Sequence, residues 1–324
     1  LATSQVSAAT GANPNSSDER KANEREPIYA LPFLGAAAVK EGASLPLPIG
    51  LSILGQYQRE QIRAHGLQVG LGGGPLINAD FVGFNGLTTR VRNLLFRGDF
   101  WVLPFLNVYG IAGSGWASTT TSLNRPITLI TSTDSQGTTL GFGGTLAYGV
   151  EPYGFITLDA NLTWSDQVIL SVPARTVTVT PRVGHRWKSE TVSDRAFSLW
   201  AGATLEEFEN ASQGSIPFGN TLPAGSGGIT SFLPADFGAW HATLTHAQQE
   251  AVSQLLNELV MLEQNPNSAI ARAQFSLNIN PSKAWNFIAG GSMKMSKHWQ
   301  LIAEAGFFGA RTSVVGNACY RFGI

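Results

Sequence analysis

Trp285-Asn286-Phe287-Ile288-Ala289-Gly290-Gly291-Ser292-Met293-Lys294 is followed by Trp299-Gln300-Leu301-Ile302-Ala303-Glu304-Ala305-Gly306-Phe307. A third run, Val314-Val315-Gly316-Asn317-Ala318-Cys319-Tyr320-Arg321-Phe322-Gly323-Ile324, ends the chain. In all three, residues two apart resemble each other. Phe287, Met293, Leu301, Val314, Tyr320 and Phe322 fall on one face, and Lys294, Glu304, Asn317 and Arg321 on the other. A period of two is the mark of a strand whose faces meet different surroundings. In a soluble sheet the apolar face would look at a core and the polar face at water. In a membrane barrel the assignment is reversed, with apolar side chains toward lipid and polar ones toward the lumen.

Composition favours the second reading. Charged residues make up 13% of the 324, about half the usual share of a soluble protein, while the chain holds 36 Gly, 18 Phe and 8 Trp. Mean hydropathy is near zero, and no apolar run reaches the ~20 residues that a membrane-spanning helix needs. A net charge of −1 gives no footprint for nucleic acid. A single cysteine, Cys319, excludes an intrachain disulfide and a multi-cysteine zinc site, and its place on the inward face suits a small packing residue. The chain opens on Leu1 rather than Met, as it would after removal of a signal peptide.

The C-terminal residues Tyr320, Phe322 and Ile324 share one face. They resemble the C-terminal assembly signal of Gram-negative outer-membrane β-barrels, an apolar last residue with aromatics two and four before it. That family commonly ends in Phe, and Ile stands here. The string from Trp101 to Gly110 is also similar to strands of uncharacterised bacterial outer-membrane proteins. The resemblance implies a bacterial outer-membrane location. It also implies contact with outer-membrane lipid and lipopolysaccharide, and delivery to the barrel-assembly machinery through the last strand.

Read in order, the chain predicts an all-β protein, an antiparallel transmembrane β-barrel of 10 to 12 strands with one amphipathic helix in a long extracellular loop. Residues 1–27 read as a flexible periplasmic tail, and 28–324 as the barrel with an insertion at 208–283. Alternation begins at Ile49. Weak segments near 30–40 and 66–84 allow two further strands, and Gly70 to Gly74 reads as a loop. A hairpin spans Leu87 to Trp116 with its turn at Gly98-Asp99-Phe100-Trp101. The Ser- and Thr-rich stretch from Ala117 to Gly137 reads as a long loop. Clear alternation returns from Leu140 to Trp164, about a turn at Glu151-Pro152-Tyr153-Gly154, and again at 175–187 and 197–206. Within 208–283, Thr245 and Gln248 form a capping box ahead of a helix over 245–264. Leu255, Leu256, Leu259 and Leu262 recur there at helical spacing, as a plug, a cap, or a docking face for another protein.

Assigning faces by alternation places Arg90, Arg92, Asp159, Arg182, Arg186, Glu206, Lys294, Glu304 and Arg321 toward the lumen. The strand count favours a lumen largely filled by side chains. The chain is then a structural anchor or an interaction protein. The alternative is a pore or substrate-selective channel with an Arg-rich lining, and a lesser alternative is an outer-membrane lipid-modifying enzyme. No catalytic residue, metal site or cofactor is assigned. His241 and His246 are five apart rather than the four of a zinc-binding helix, and no Ser stands in a nucleophile elbow.

Overall fold

The computed structural model describes residues 29–41, 43–71, 74–150, 154–189, 191–192, 194–208, 212–217, 228–264 and 272–323. The sequence expectations for 1–27, for the turn residues Glu151 to Tyr153 and for Ile324 lie outside these. In chain order come helix α1 (Gly35–Lys40) and strands β1 (Ile49–Leu71), β2 (Ile77–Asn78), β3 (Gly83–Leu103), β4 (Leu106–Arg125), β5 (Leu129–Val150), β6 (Gly154–Gln167), β7 (Ala174–Lys188), β8 (Ala196–Phe208) and β9 (Ser212–Pro217). A 3-10 turn (Ile229–Phe232), helices α2 (Phe237–His241) and α3 (His246–Gln264), and strands β10 (Arg272–Pro281), β11 (Trp285–Lys294), β12 (Trp299–Phe307) and β13 (Arg311–Phe322) complete the chain.

Ten strands close into an antiparallel barrel in the order β13-β12-β11-β8-β7-β6-β5-β4-β3-β1, with β1 pairing back onto β13 from Ile49↔Phe322 to Glu60↔Arg311. Closure leaves no edge in this ring, and every pairing is between antiparallel neighbours. The segments near 30–40 and 66–84 add no barrel strand. The first forms α1, and the second is divided among the upper end of β1, the two-residue β2 and the start of β3.

The alternation is turned inside out. Leu51, Phe96, Phe142, Tyr148, Val183 and Phe287 are exposed on the outer face, whereas Asn107, Thr145, Asp159, Arg182, Asn286 and Arg321 are buried inside. Aromatics ring one end of this belt. Trp187 stacks on Phe197 at 6.0 Å, and Trp299 meets Tyr320 edge-on at 5.1 Å. Aromatic rings of this kind sit at a membrane–water interface. An inside-out closed barrel satisfies every backbone group within the ring and offers lipid only apolar side chains, the one way for strands to cross a membrane.

β3, β5, β7 and β11 end, and β4, β6, β8 and β12 begin, at the end where β1 starts and β13 finishes. This is the periplasmic end in such barrels. Toward the other end the strands differ greatly in length. β11 and β12 have 10 and 9 residues, about what a spanning strand requires. β1, β3, β4 and β5 have 20 to 23, so about half of each stands above the membrane. The Ser- and Thr-rich stretch is therefore not a loop: it is the upper part of β4 and β5, paired from Ala117↔Ser135 to Leu123↔Leu129. Threonine is β-branched and suits a pleated wall. Its hydroxyl tolerates water outside and a polar lumen inside, so the hydrophobic alternation disappears while the strand continues.

This upper storey closes differently. β13 leaves β1 at Glu60, and β10 takes over that edge from Ile62↔Pro281 to Leu71↔Ala273. β9 pairs with β10 and reaches the segment after β6 through the Leu170↔Gly214 bridge. The β1–β10 register shifts between His65 and Gln68, where Gly66 takes φ +62°, a left-handed conformation open to glycine at little cost.

Candidate functional site: the barrel interior

The lower lumen is filled by charges that neutralise one another. Glu304 of β12 accepts from Arg182 Nε at 2.8 Å, from Arg182 Nη2 at 3.2 Å and from Trp200 Nε1 at 2.7 Å. Arg321 of β13 donates to Asp99 at 2.8 Å. Asn107 donates to the same carboxylate at 2.7 Å and accepts from Arg97 Nη2 at 3.1 Å. The Arg97 guanidinium also lies over the Tyr109 ring, 3.5 Å from its centroid. Asp159 accepts from Tyr109 Oη at 2.9 Å and Thr145 Oγ1 at 2.6 Å. Higher up, Arg311 pairs with Glu206, and Gln58 donates to Glu60 at 3.0 Å. Carboxylates and guanidiniums taken from water cost several kcal/mol each unless paired and hydrogen-bonded, so these matched partners are what makes the arrangement tenable.

Three aromatic rings pack these layers against glycines placed directly across the ladder: Tyr109 opposite Gly143, Phe155 opposite Gly184, and Trp200 opposite Gly290. A Cβ on Gly290 would stand 2.7 Å from Cε2 of Trp200, so the missing side chain is the space the indole occupies.

Beneath these layers the N-terminal segment crosses the periplasmic mouth. Leu47 O accepts from Arg321 Nε at 2.9 Å and Pro48 O from Trp101 N at 2.9 Å. Leu45 packs on buried Trp101 and Ala147. At the opposite end α3 covers the opening. The capping box forms, with Thr245 N donating to Gln248 Oε1 at 3.0 Å and Gln248 N to Thr245 Oγ1 at 3.4 Å. The helix packs Val252, Leu255 and Leu259 onto Leu67, Ala79, Phe81, Ile127 and Leu129 of the upper storey, with Leu256 partly buried at the edge. The Leu262 side chain lies outside the described residues. The apolar stripe is thus used within this chain, as a cap over the mouth.

Between floor and cap lies a chamber of about 680 Å³. Asp159, Arg182 and Glu304 line its floor, and Leu255 and Leu259 its ceiling. Its walls differ: β1, β3 and β10 contribute mostly apolar side chains, and β4 to β8 mostly polar ones, threonine the commonest.

Of the sequence candidates, Asp159, Arg182, Glu304 and Arg321 are buried in the interior, and Glu206 is partly buried beside Arg311. Arg186 and Lys294 border a small cleft at the periplasmic rim with Ser44, Leu45 and Pro46. Arg90 and Arg92 are exposed on the outer wall, a correction to the expected lumen lining. The inward residues of that strand are the odd-numbered ones, Val91, Asn93, Leu95, Arg97 and Asp99. The expected turn at Gly98–Trp101 is continuous strand, and the chain reverses at 103–106. Reading it as a turn hid Arg97 and Asp99. The alternation of Phe96 and Phe100 against them carried the signal, because two aromatics on the even positions belong outside. Among the described residues no group of three or more His, Cys, Asp or Glu could hold a metal.

No family model and no curated protein matches the chain. Solved structures with a similar course include three outer-membrane proteins. The β domain of the Bordetella autotransporter BrkA has 11% identity over 84% of this chain and 100% of that one, with a TM-score of 0.34. An outer-membrane channel from Pseudomonas putida F1 has 11% identity over 86% and 96%, TM-score 0.31. The transport unit of the Escherichia coli autotransporter AIDA-I has 9% over 86% and 90%, TM-score 0.36. Likenesses this loose carry no functional argument. The class rests on the molecule itself: a closed ten-stranded barrel with an apolar exterior, an aromatic ring and a polar interior is a transmembrane β-barrel of the outer-membrane type.

Proposed function

We propose that this protein is a sealed, non-conducting barrel that anchors a capped outer storey in the membrane. One observation carries the reading. Two arginines that could have lined a pore are instead committed to carboxylates across the lower lumen, Arg182 to Glu304 and Arg321 to Asp99, and Arg311 pairs with Glu206 higher up. A barrel of this size has an interior that side chains can fill, and the segment at 43–48 closes what remains at the periplasmic mouth. An anion-selective pore needs guanidiniums facing water and free to exchange partners. Contact of the outer belt with lipid, and recognition of the last strand by the barrel-assembly machinery through Tyr320 and Phe322, belong to the same proposal. The cap leaves a protein partner the outward side of α3 rather than the helix's apolar stripe.

The test is single-channel recording in a planar bilayer. The full chain shows no steady conductance, and a form lacking residues 229–264 stays closed as well, since the ion-paired layers lie below the cap. Steady current through the full chain would overturn the reading. Current only after the deletion would move the seal from the floor to the helix.

A further inference from the structure

The chamber under α3 is large and two-faced. Its volume, about 680 Å³, falls in the range of small-molecule sites, roughly 300–1,000 Å³. From Asp159 at the floor to Gln167 near the rim, β6 climbs about 20 Å, at about 3.3 Å per residue and a tilt near 40°. The space is therefore tall and narrow. Leu54, Val91, Leu95 and Ile279 are the aliphatic part of one wall, among which Gln56, Gln58 and Asn93 also stand; Thr133 and Thr178 belong to the facing, more hydroxyl-rich wall.

Two groups in the chamber lining are left incomplete, one at the floor and one higher on β11. Arg182 bonds Glu304 through Nε and Nη2, while its Nη1 is buried with no partner. Neither amide atom of Asn286, a residue 2% exposed, has a partner. Both residues line the chamber. Buried polar atoms of this kind are ordinarily satisfied, so two such residues in the lining of a roomy cavity mark where another molecule's polar group belongs. Nη1 requires an acceptor, and the Asn286 amide takes either a donor or an acceptor. The acids lining the chamber are Glu60, Asp159, Glu206 and Glu304, against Arg175, Arg182 and Arg311. A further carboxylate would add to an acidic excess in a poorly solvated space.

We infer that the chamber binds a single-chain amphiphile with an uncharged, hydrogen-bonding head such as an amide or alcohol. The carbonyl or hydroxyl oxygen meets Arg182 Nη1 and the Asn286 amide, and the alkyl chain rises along the aliphatic wall toward Leu255 and Leu259. This is a binding site beyond the sealed anchor proposed above. Binding and conductance are read separately, so either can fail alone.

The test is native mass spectrometry of the full chain released from non-ionic detergent, after incubation with palmitamide, 1-hexadecanol or ionised palmitate. The expected result is one saturable adduct per barrel with palmitamide or hexadecanol, favoured about tenfold or more over palmitate. Thr133→Trp, which fills the chamber from its hydroxyl wall, lowers adduct occupancy about tenfold. Leu95→Trp does the same from the aliphatic wall, and heat-dependent gel mobility shows which variants have folded. Asn286→Leu weakens palmitamide more than it weakens palmitate. Multiple unsaturable adducts that persist in both filled variants would mean binding on the outer belt, and would overturn the site. Palmitate bound as tightly as palmitamide would overturn the uncharged head.

Discussion

Glu304→Ala tests whether the ion-paired floor holds the barrel together. The side chains of Arg182 and Glu304 are 3% and 8% exposed, so removing the carboxylate strands a guanidinium inside the lumen. Breaking a buried pair by deleting one partner costs about 3–5 kcal/mol. The same carboxylate accepts from Trp200 Nε1, and that donor, left unsatisfied, adds about 1 kcal/mol or more. The sum is about 4–6 kcal/mol, a large share of a typical folding free energy of about 5–15 kcal/mol. Removing both charges behaves differently. Arg182→Met with Glu304→Leu leaves no stranded ion, and the floor becomes apolar at similar volume. That double variant loses about 1–2 kcal/mol, mostly from the unpaired indole N–H. The assay is urea-driven unfolding in phospholipid vesicles followed by tryptophan fluorescence, with the gel mobility of folded and heated samples as a check. A loss below about 1 kcal/mol in Glu304→Ala would refute the argument, and so would a double variant no more stable than the single one.

Gly290→Ala places a methyl group where the Trp200 indole lies. The expected loss is about 1–3 kcal/mol in the same unfolding assay, the usual range for overpacking, and Trp200→Leu made alongside it recovers part of that loss. On the outer wall Arg59 and Arg90 stand directly opposite each other in the β1–β3 ladder, and both are exposed. Arg90→Glu turns a like-charged cross-strand pair into an opposite one and raises stability by about 0.5 kcal/mol at low salt, an effect that fades as salt is added. An unchanged or lower midpoint at low salt would return Arg90 to the interior.

Legibility in the sequence followed the solvent on each side of the wall. Where lipid lies outside and polar side chains inside, the two faces differ as much as they can. There the alternation displays the strands outright: β11, β12 and β13 run where the pattern from Trp285 to Phe322 places them. Above the membrane both sides are polar, contrast is lost, and a continuous wall from Ala117 to Gly137 reads as a loop. Only the β-branched threonines hinted otherwise. The capping box at Thr245 and the leucine stripe after it were equally plain, because a helix writes its signal within one turn. What the stripe covers was not, since Leu67, Phe81 and Ile127 come from distant segments.

The ion pairs were the least legible part, for a topological reason. Arg182 and Glu304 are 122 residues apart, and Asp99 and Arg321 are 222 apart. No local rule couples residues brought together only by closing a ring. Alternation can say that an arginine points inward, but not whether a carboxylate waits for it there. An unpaired inward arginine suggests a selectivity lining; a paired one suggests a seal. The same residue type on the same face thus supports opposite functions, and the cross-barrel partner decides between them. The short chain segment under the barrel weighs on the same side. With Leu47 O accepting from Arg321 and Pro48 O from Trp101, the proposed seal has contacts below its charged layers that conduction would have to break.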